Sequence, residues 1–391
     1  MGYKTYTCPI SRRCGGCELL NVPYEIQLRR KQSETEALFK EIIEADHATL
    51  DTIRGMERPL AYRHKAATPF APGKRGIRCG FYERGTHDIV FCRECLVEAK
   101  GARKCLVDVA HVASDLNIGA YREDEGKGIL RHAVVRVGYA TKESLLTIVT
   151  NGETLPRSKE LARRLMAKNK SLVGVVQNIN PRRTNAILGP KNHTILGSPT
   201  MRDKLLGVTF EIGAASFYQT NPEQTEVLYD LAIEGIEGAS TLLDAYCGCG
   251  TIGVCAAALA KRSGREIEVV GVEKVSEAVG SARKNARIND VAELARFKCA
   301  DATEWMAKQT GRPFEALVLD PPRAGSTPEF LDGVCRLGPK RVVYVSCNPK
   351  TQVRDLAVLR QGGYRVKRIS PVDLFPHTLH VETVCLLTHK D

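Results

Sequence analysis

The chain divides by the period of its hydrophobic positions. Over residues 61–213, short apolar runs (HAVVRVGY, ESLLTIVTN, LVGVVQNIN) alternate with stretches of helical periodicity at 107–116 and 158–169. This predicts a compact α/β region. Beyond residue 214, a helix over 222–233 leads into repeated strand-helix units with nearly continuous apolar strands: TLLDAYCG, EVVGVE, ARFKCAD, FEALVLDPP and RVVYVSC, closed by TVCLLTH. Strands alternating with helices predict a parallel, doubly wound sheet over 214–391. Residues 1–60 carry too few apolar positions for a domain of their own. There a cysteine-bearing stretch, CPISRRCGGC, precedes a polar segment predicted helical over 23–45.

Composition narrows the class. With 391 residues, 43% of them hydrophobic and 26% charged, the chain has the make-up of a soluble globular protein. Its longest apolar runs, such as residues 254–260, are too short for a bilayer. Lys4, Arg12, Arg13 and Glu18 break the opening residues where a secretory signal would lie. The reading is a cytoplasmic monomer with no membrane partner. The net charge of +12 is unevenly spread: from residue 214 onward 22 basic residues balance 22 acidic ones, which leaves 35 against 23 in the first 213. A local positive excess attracts polyphosphate, so nucleic acid is the expected partner, against the plainer alternative of solvated surface lysines.

The C-terminal units place chemistry at their strand ends. Asp244-Ala-Tyr-Cys-Gly248-Cys-Gly250 follows the first strand and opens a helix, where glycines permit a tight turn and close approach to a ligand. The next strand ends in Glu273, 23 residues beyond Gly250, placed to accept both hydroxyls of a ribose. That spacing suits NAD equally well. Asp301 ends the third strand, where a carboxylate can accept from an adenine amino group. Asp320-Pro321-Pro322-Arg323 ends the fourth in a rigid extended turn. An acidic Pro-Pro there is foreign to dehydrogenases and familiar in nucleic-acid methyltransferases that use S-adenosylmethionine. Amine methylation would call for an aromatic residue where Arg323 stands.

The fifth strand ends at Ser346-Cys347-Asn348-Pro349, which puts a thiol at the same sheet edge. Carbon 5 of uracil is a poor nucleophile until a thiolate adds to carbon 6. The adduct must then lose its carbon 5 proton to a base, for which Glu382 is the candidate. A buried packing thiol and a strand-edge carboxylate are the plainer readings of the two residues. Cys247, Cys249, Cys255, Cys299, Cys335 and Cys385 lack comparable context and read as packing residues.

Taken together, FYQTNPEQ, LLDAYCGCGT, VVGVE, LVLDPPRAG, VVYVSCNPKT and DLFPHTLHVET resemble the RNA (uracil-5-)-methyltransferases, in particular the 23S ribosomal RNA type. The resemblance implies a C-terminal Rossmann-like, S-adenosylmethionine-dependent methyltransferase behind a central α/β RNA-binding domain and an N-terminal iron-sulphur segment. It implies Cys347 as nucleophile and Glu382 as proton acceptor. Cofactor contacts are implied for Gln219, Tyr246, Glu273 and Asp320, and also for Thr251 and Asp301. Tyr246 replaces the commoner phenylalanine.

Cys8, Cys14 and Cys17 lie in too polar a stretch for packing, and three thiolates ask for a fourth ligand. Cys92 and Cys95 are the candidates, ahead of Cys79 and Cys105. Cys14-Gly-Gly-Cys17 and Cys92-Arg-Glu-Cys95 form two pairs that would suit zinc, and four thiolates suit an iron-sulphur cluster as well. The resemblance implies a 4Fe-4S cluster on Cys8, Cys14, Cys17 and Cys95. The family's preceding RNA-binding barrel has no counterpart in the seven residues before Cys8. RNA grip is therefore expected from Arg63, His64, Lys65, Lys74, Arg75, Arg78, Arg182 and Arg183, with Tyr62, Phe70 and Phe81 stacking on bases and Phe217 and Asn348 lining the uridine pocket. Ribosomal RNA is the expected target. The alternatives are a transfer RNA enzyme of the same family, a methyltransferase acting on cytosine or an amine, or an inactive RNA-binding assembly factor.

Overall fold

The C-terminal apolar runs fold as strands, seen in a computed structural model that describes residues 4–74, 76–311 and 313–389. In chain order within this region they are β1 (Thr241–Ala245), β2 (Glu268–Glu273), β3 (Ala295–Cys299), β4 (Ala316–Leu319), β5 (Arg341–Ser346), β6 (Tyr364–Val372) and β7 (Glu382–His389). With the short strand Thr49–Leu50 they make one eight-stranded sheet, in the order Thr49–Leu50, β6, β7, β5, β4, β1, β2, β3. β1 to β5 pair in parallel. β7 runs antiparallel to both β5 and β6, so the wholly parallel sheet expected from the pattern is corrected to a mixed one. The cause is the β6–β7 connection, which contains no crossover helix and therefore returns the chain antiparallel.

The helices between strands cover the sheet and bury its side chains, with Leu242, Leu317, Val343 and Tyr344 among those sealed from solvent. Two elements from outside the expected 214–391 region join this body. The hairpin Thr200–Leu205/Val208–Gly213 contributes Met201, Leu205, Val208, Phe210 and Ile212 to the same core as Leu242. Helix Tyr24–Asp46 packs on β6 through Phe39 and Ile42, and Asp46 is held by Arg360. The body built on this sheet therefore draws on residues 24–50 and 200–213 as well as 214–391.

The central region forms a separate seven-stranded sheet, in the order Ile89–Phe91, Gly76–Tyr82, Lys65–Gly73, Leu130–Val137, Ser144–Thr150, Leu172–Ile179, Lys191–Gly197. Helix Ser158–Lys168 is the crossover of its one parallel pair, Ser144–Thr150 with Leu172–Ile179. It shares an apolar core with helix Ala102–Asp115. Among the described residues, no helix is long and apolar enough to cross a membrane.

Candidate active site

The strand order reverses between β1 and β4, and a ligand crevice opens beyond the carboxyl ends of strands at such a point. The loop after β1 is tightly wound, with Tyr246, Gly248 and Gly250 all at positive φ. A side chain at Gly250 would stand 2.9 Å from both Ala282 and Phe297, so only glycine fits. Glu273 fastens this loop: its Oε2 accepts the Gly248 N–H at 3.2 Å and its Oε1 the Val275 N–H at 2.8 Å. Buried Asp244 accepts the Gly253 N–H at 2.9 Å, which anchors the following helix. Thr251 bonds Tyr229 through their hydroxyls at 2.8 Å, and the Tyr246 ring packs on Phe330 at 5.3 Å. Gln219 lies half-buried in the loop before helix Pro222–Gly235, and that loop is tied to the glycine turn where Cys249 donates to the Phe217 carbonyl at 3.2 Å. Asp301 sits farther out, exposed and capping helix Ala302–Ala307.

Burial pushes the carboxyls of Asp244 and Asp320 up to about 7 and that of Glu382 up to about 8. Desolvated carboxylates gathered at one sheet edge suit a ligand that brings positive charge, as the sulphonium of S-adenosylmethionine does.

Cys347 follows β5 and Glu382 opens β7. Ser346 pairs with Thr383, so the thiol and the carboxyl face one another one step beyond that pair. Burial pushes the Cys347 thiol up, and Glu382 and Asp320 push it further. The Arg323 guanidinium pulls the thiol back, and it lowers Glu382 as well. Arg323 is the active-site residue that motif reading passed over, although its place after the two prolines was visible. Asn348 donates to the Arg323 carbonyl at 3.0 Å and Thr351 to the same oxygen at 3.2 Å, which holds the arginine turn against the thiol turn. The loop 373–381 that delivers Glu382 is anchored from the N-terminal region. Lys31 pairs with Asp373 at 2.6 Å, both fully buried, Tyr24 donates to Asp373 at 2.7 Å, and Gln27 contacts His377 at 3.1 Å.

The four cysteines expected to bind a cluster occupy one corner. The Cys17 thiol, pushed up to about 12 chiefly by burial, also feels Cys95, Cys14 and Cys8. Cys17 and Cys95 pack against the same small cluster of Met56, Tyr62 and Val97. Burial pushes the Cys95 and Cys14 thiols up, and the backbone N–H groups of Val97 and Glu98 and of Gly16 pull them partly back. Cys92 instead donates its thiol to the Glu94 carbonyl at 2.9 Å. Among the described residues, these side chains do not converge into a group of three or more that could hold a metal ion.

Several residues expected to meet RNA do not face it. Tyr62 is buried, donating to the Pro376 carbonyl, and Phe70 belongs to the central core, so neither is free to stack on a base. Arg103 covers the Phe81 ring at 4.2 Å. His64 bonds the Val137 carbonyl, Lys65 is half-buried, and Lys74, Arg78, Arg182 and Arg183 are exposed. Arg75 lies outside the described residues. Phe217, 66% exposed, is the open aromatic ring beside the crevice. Of the cysteines read as packing, Cys247, Cys249, Cys255 and Cys385 are buried and Cys335 is half-buried, whereas Cys299 is exposed at the end of an edge strand.

The family model described as tRNA (Uracil-5-)-methyltransferase matches residues 191–390. An uncharacterized RNA methyltransferase of Bacillus cereus (strain ATCC 10987 / NRS 248) is 39% identical over 392 residues, spanning 99% of this chain and 84% of that protein. One from Halalkalibacterium halodurans is 40% identical over 390 residues, spanning 98% and 83%. Among solved structures, the Pyrococcus abyssi tRNA (uracil-54, C5)-methyltransferase in complex with S-adenosyl-L-homocysteine is similar with a TM-score of 0.78 at 27% identity, over 98% of this chain and 87% of that one.

Proposed function

Since the chain belongs to the RNA (uracil-5-)-methyltransferase family and is an S-adenosylmethionine-dependent enzyme, we propose that it methylates carbon 5 of one uridine in 23S ribosomal RNA through a covalent adduct on Cys347. The observation that carries this reading is the pairing of the Cys347 thiol with the Glu382 carboxyl at the cofactor edge of the sheet.

The Arg323 guanidinium favours the Cys347 thiolate, which adds to carbon 6 of the unstacked base. The electron pair moves onto carbon 5 and the carbonyl oxygen, and carbon 5 then takes the methyl group that S-adenosylmethionine supplies. Glu382, in its ionised form, removes the carbon 5 proton. Collapse of the resulting enolate expels the Cys347 thiolate and restores the ring. Asp320 holds the floor of the crevice, and the Asp244–Glu273 scaffold keeps the glycine turn open to the adenosine portion of the donor.

For the N-terminal corner, the reading is a 4Fe-4S cluster on Cys8, Cys14, Cys17 and Cys95. Its support is that the Cys17 thiol feels Cys8, Cys14 and Cys95. Its role is to fasten the N-terminal strap to the segment after strand Ile89–Phe91, because methyl transfer moves no net electrons.

The cysteine pattern favours ribosomal RNA as the target. A transfer RNA substrate is the second reading, favoured by the likeness to the Pyrococcus enzyme over nearly the whole chain. Mapping 5-methyluridine in ribosomal and transfer RNA from a deletion strain separates them: loss from 23S ribosomal RNA is expected, and loss confined to transfer RNA overturns that choice. Trapping on RNA containing 5-fluorouridine tests the adduct, because fluorine cannot leave as a proton. Equal trapping by the wild type and Cys347→Ala would sink the mechanism.

A further inference from the structure

A cavity of about 580 Å³ opens on the central sheet. Its lining draws Arg63 and Lys65 from the first long strand and its approach, Tyr82 from the next, Arg131 and His132 from strand Leu130–Val137, and Thr220 from the loop that carries Gln219. Pockets of roughly 300–1,000 Å³ with a few converging polar groups are the size of small-ligand sites.

Its polar groups are incomplete. Arg131 is 2% exposed and His132 8%, yet Arg131 Nε and His132 Nδ1 have no hydrogen-bond partner, and Arg63 Nε and Thr220 Oγ1 are in the same condition. A buried polar atom left unpaired is costly, and four of them belong to side chains that line this one cavity. Arg131 is rigidly held: its Nη1 donates to the Asn180 and Arg182 carbonyls, each at 2.6 Å, and its guanidinium lies over the Tyr121 ring. Burial and the Arg131 charge push His132 down to about 4, leaving a neutral ring with one donor and one acceptor nitrogen. His132 Nε2 lies 3.5 Å from the Tyr82 hydroxyl, which leaves Nδ1 for one polar group of a base. Arg63 and Lys65 supply charge for a phosphate, while Glu98 and Glu123 of the same lining are paired with Arg103 and Arg131.

The cavity adjoins the reaction centre. The His64 N–H donates to the Thr220 carbonyl at 2.7 Å. The charges of Arg63 and Arg323 both act on His380, and Arg323 is the residue whose charge favours the Cys347 thiolate. We propose that this cavity is a second nucleotide site, which takes an unstacked nucleotide of the same RNA strand that presents its uridine to Cys347. The proposal rests on the RNA-methylating reading and adds a contact that selects sequence around the target.

The test measures binding of a short single-stranded RNA by fluorescence anisotropy, with an abasic ribose walked through every position. In the wild type, one abasic position other than the uridine weakens binding about tenfold. His132→Ala weakens the intact RNA by a similar factor, and the abasic residue at that position then has no further effect. Lys65→Ala, at a half-buried site, repeats the loss with unchanged melting and S-adenosylmethionine affinity. Additive losses, the absence of any such position, or tighter capture of free uridine or adenosine monophosphate than of RNA would each overturn the proposal. The readout is affinity, so a wild type that binds with this pattern but neither methylates nor traps RNA would sink only the covalent mechanism.

Discussion

The Glu382 carboxyl opposes ionisation of the Cys347 thiol. The antiparallel β5–β7 register sets them face to face, both are desolvated, and the Arg323 guanidinium offsets the repulsion from one side. In the proposed mechanism the thiolate is consumed by addition to carbon 6 before Glu382 is needed as a carboxylate, so the repulsion falls on a stage at which Glu382 can stay protonated. In that mechanism the carboxyl, pushed up to about 8, sets the pH at which proton removal runs. Methyl transfer by the wild type should therefore rise with pH through about 8. Glu382→Gln should lower turnover by about 10²–10⁴-fold while a protein-linked RNA adduct accumulates on denaturing gels. A variant with slow turnover and no adduct would move Glu382 to a step before proton removal.

Arg323 acts through charge on both groups. Replacing it with methionine should raise the Cys347 thiol and the Glu382 carboxyl together and shift the pH-rate profile toward alkali. S-adenosylmethionine affinity should change little. A loss of rate that is uniform across pH would show instead that the arginine only shapes the turn held by Asn348 and Thr351.

Most of this site could be read from the sequence because it stands at strand ends, and strand ends are marked by apolar runs meeting glycine or proline. The motifs at Gly248, Asp320 and Cys347 fall at the carboxyl ends of β1, β4 and β5, as the pattern predicts. β6 was not visible, because Arg365, Lys367 and Arg368 interrupt its apolar face while it pairs with β7 and Thr49–Leu50. Nor was the role of helix Tyr24–Asp46. Its sequence is polar enough to suggest a solvated segment, and Lys31 becomes interpretable only when Asp373, 342 residues away, is found against it. Long-range polar pairs leave no local period.

Raised carboxyl pKa values also bear on stability. For Glu382 the folded value, about 8, lies above the unfolded one, so the native state holds the extra proton. The penalty for ionising this buried group is absent at acid pH and grows as pH climbs from about 4 through about 8. Glu382→Gln should therefore melt like the wild type near pH 4 and above it at pH 9, by an amount on the order of a few kcal/mol. A constant offset across pH would mean that packing, not ionisation, sets the difference.

Lys31 and Asp373 are buried together, and removing one leaves the other charge uncompensated. Lys31→Met should destabilise the fold by about 3–5 kcal/mol. The same change frees the loop that delivers Glu382, so adduct resolution should slow more than adduct formation when each is followed separately. A variant that loses stability with both steps unchanged would show that the pair holds the fold without steering the base.

The corner near Cys17 supports a distinction between two neighbouring thiols. Burial pushes both thiols up, but the N–H groups of Val97 and Glu98 pull Cys95 partly back, whereas Cys92 donates its proton to the Glu94 carbonyl. A ligand sulphur must be deprotonated, and backbone donors stabilise that state while a carbonyl acceptor opposes it. Protein purified without air should contain iron and acid-labile sulphide at about four of each per chain. Cys95→Ser should lose most of both with the visible absorption of the cluster, and Cys92→Ser should keep them. The reverse pattern would exchange the two assignments, and zinc in place of iron would remove the cluster from the account while leaving the four sulphurs as its ligands.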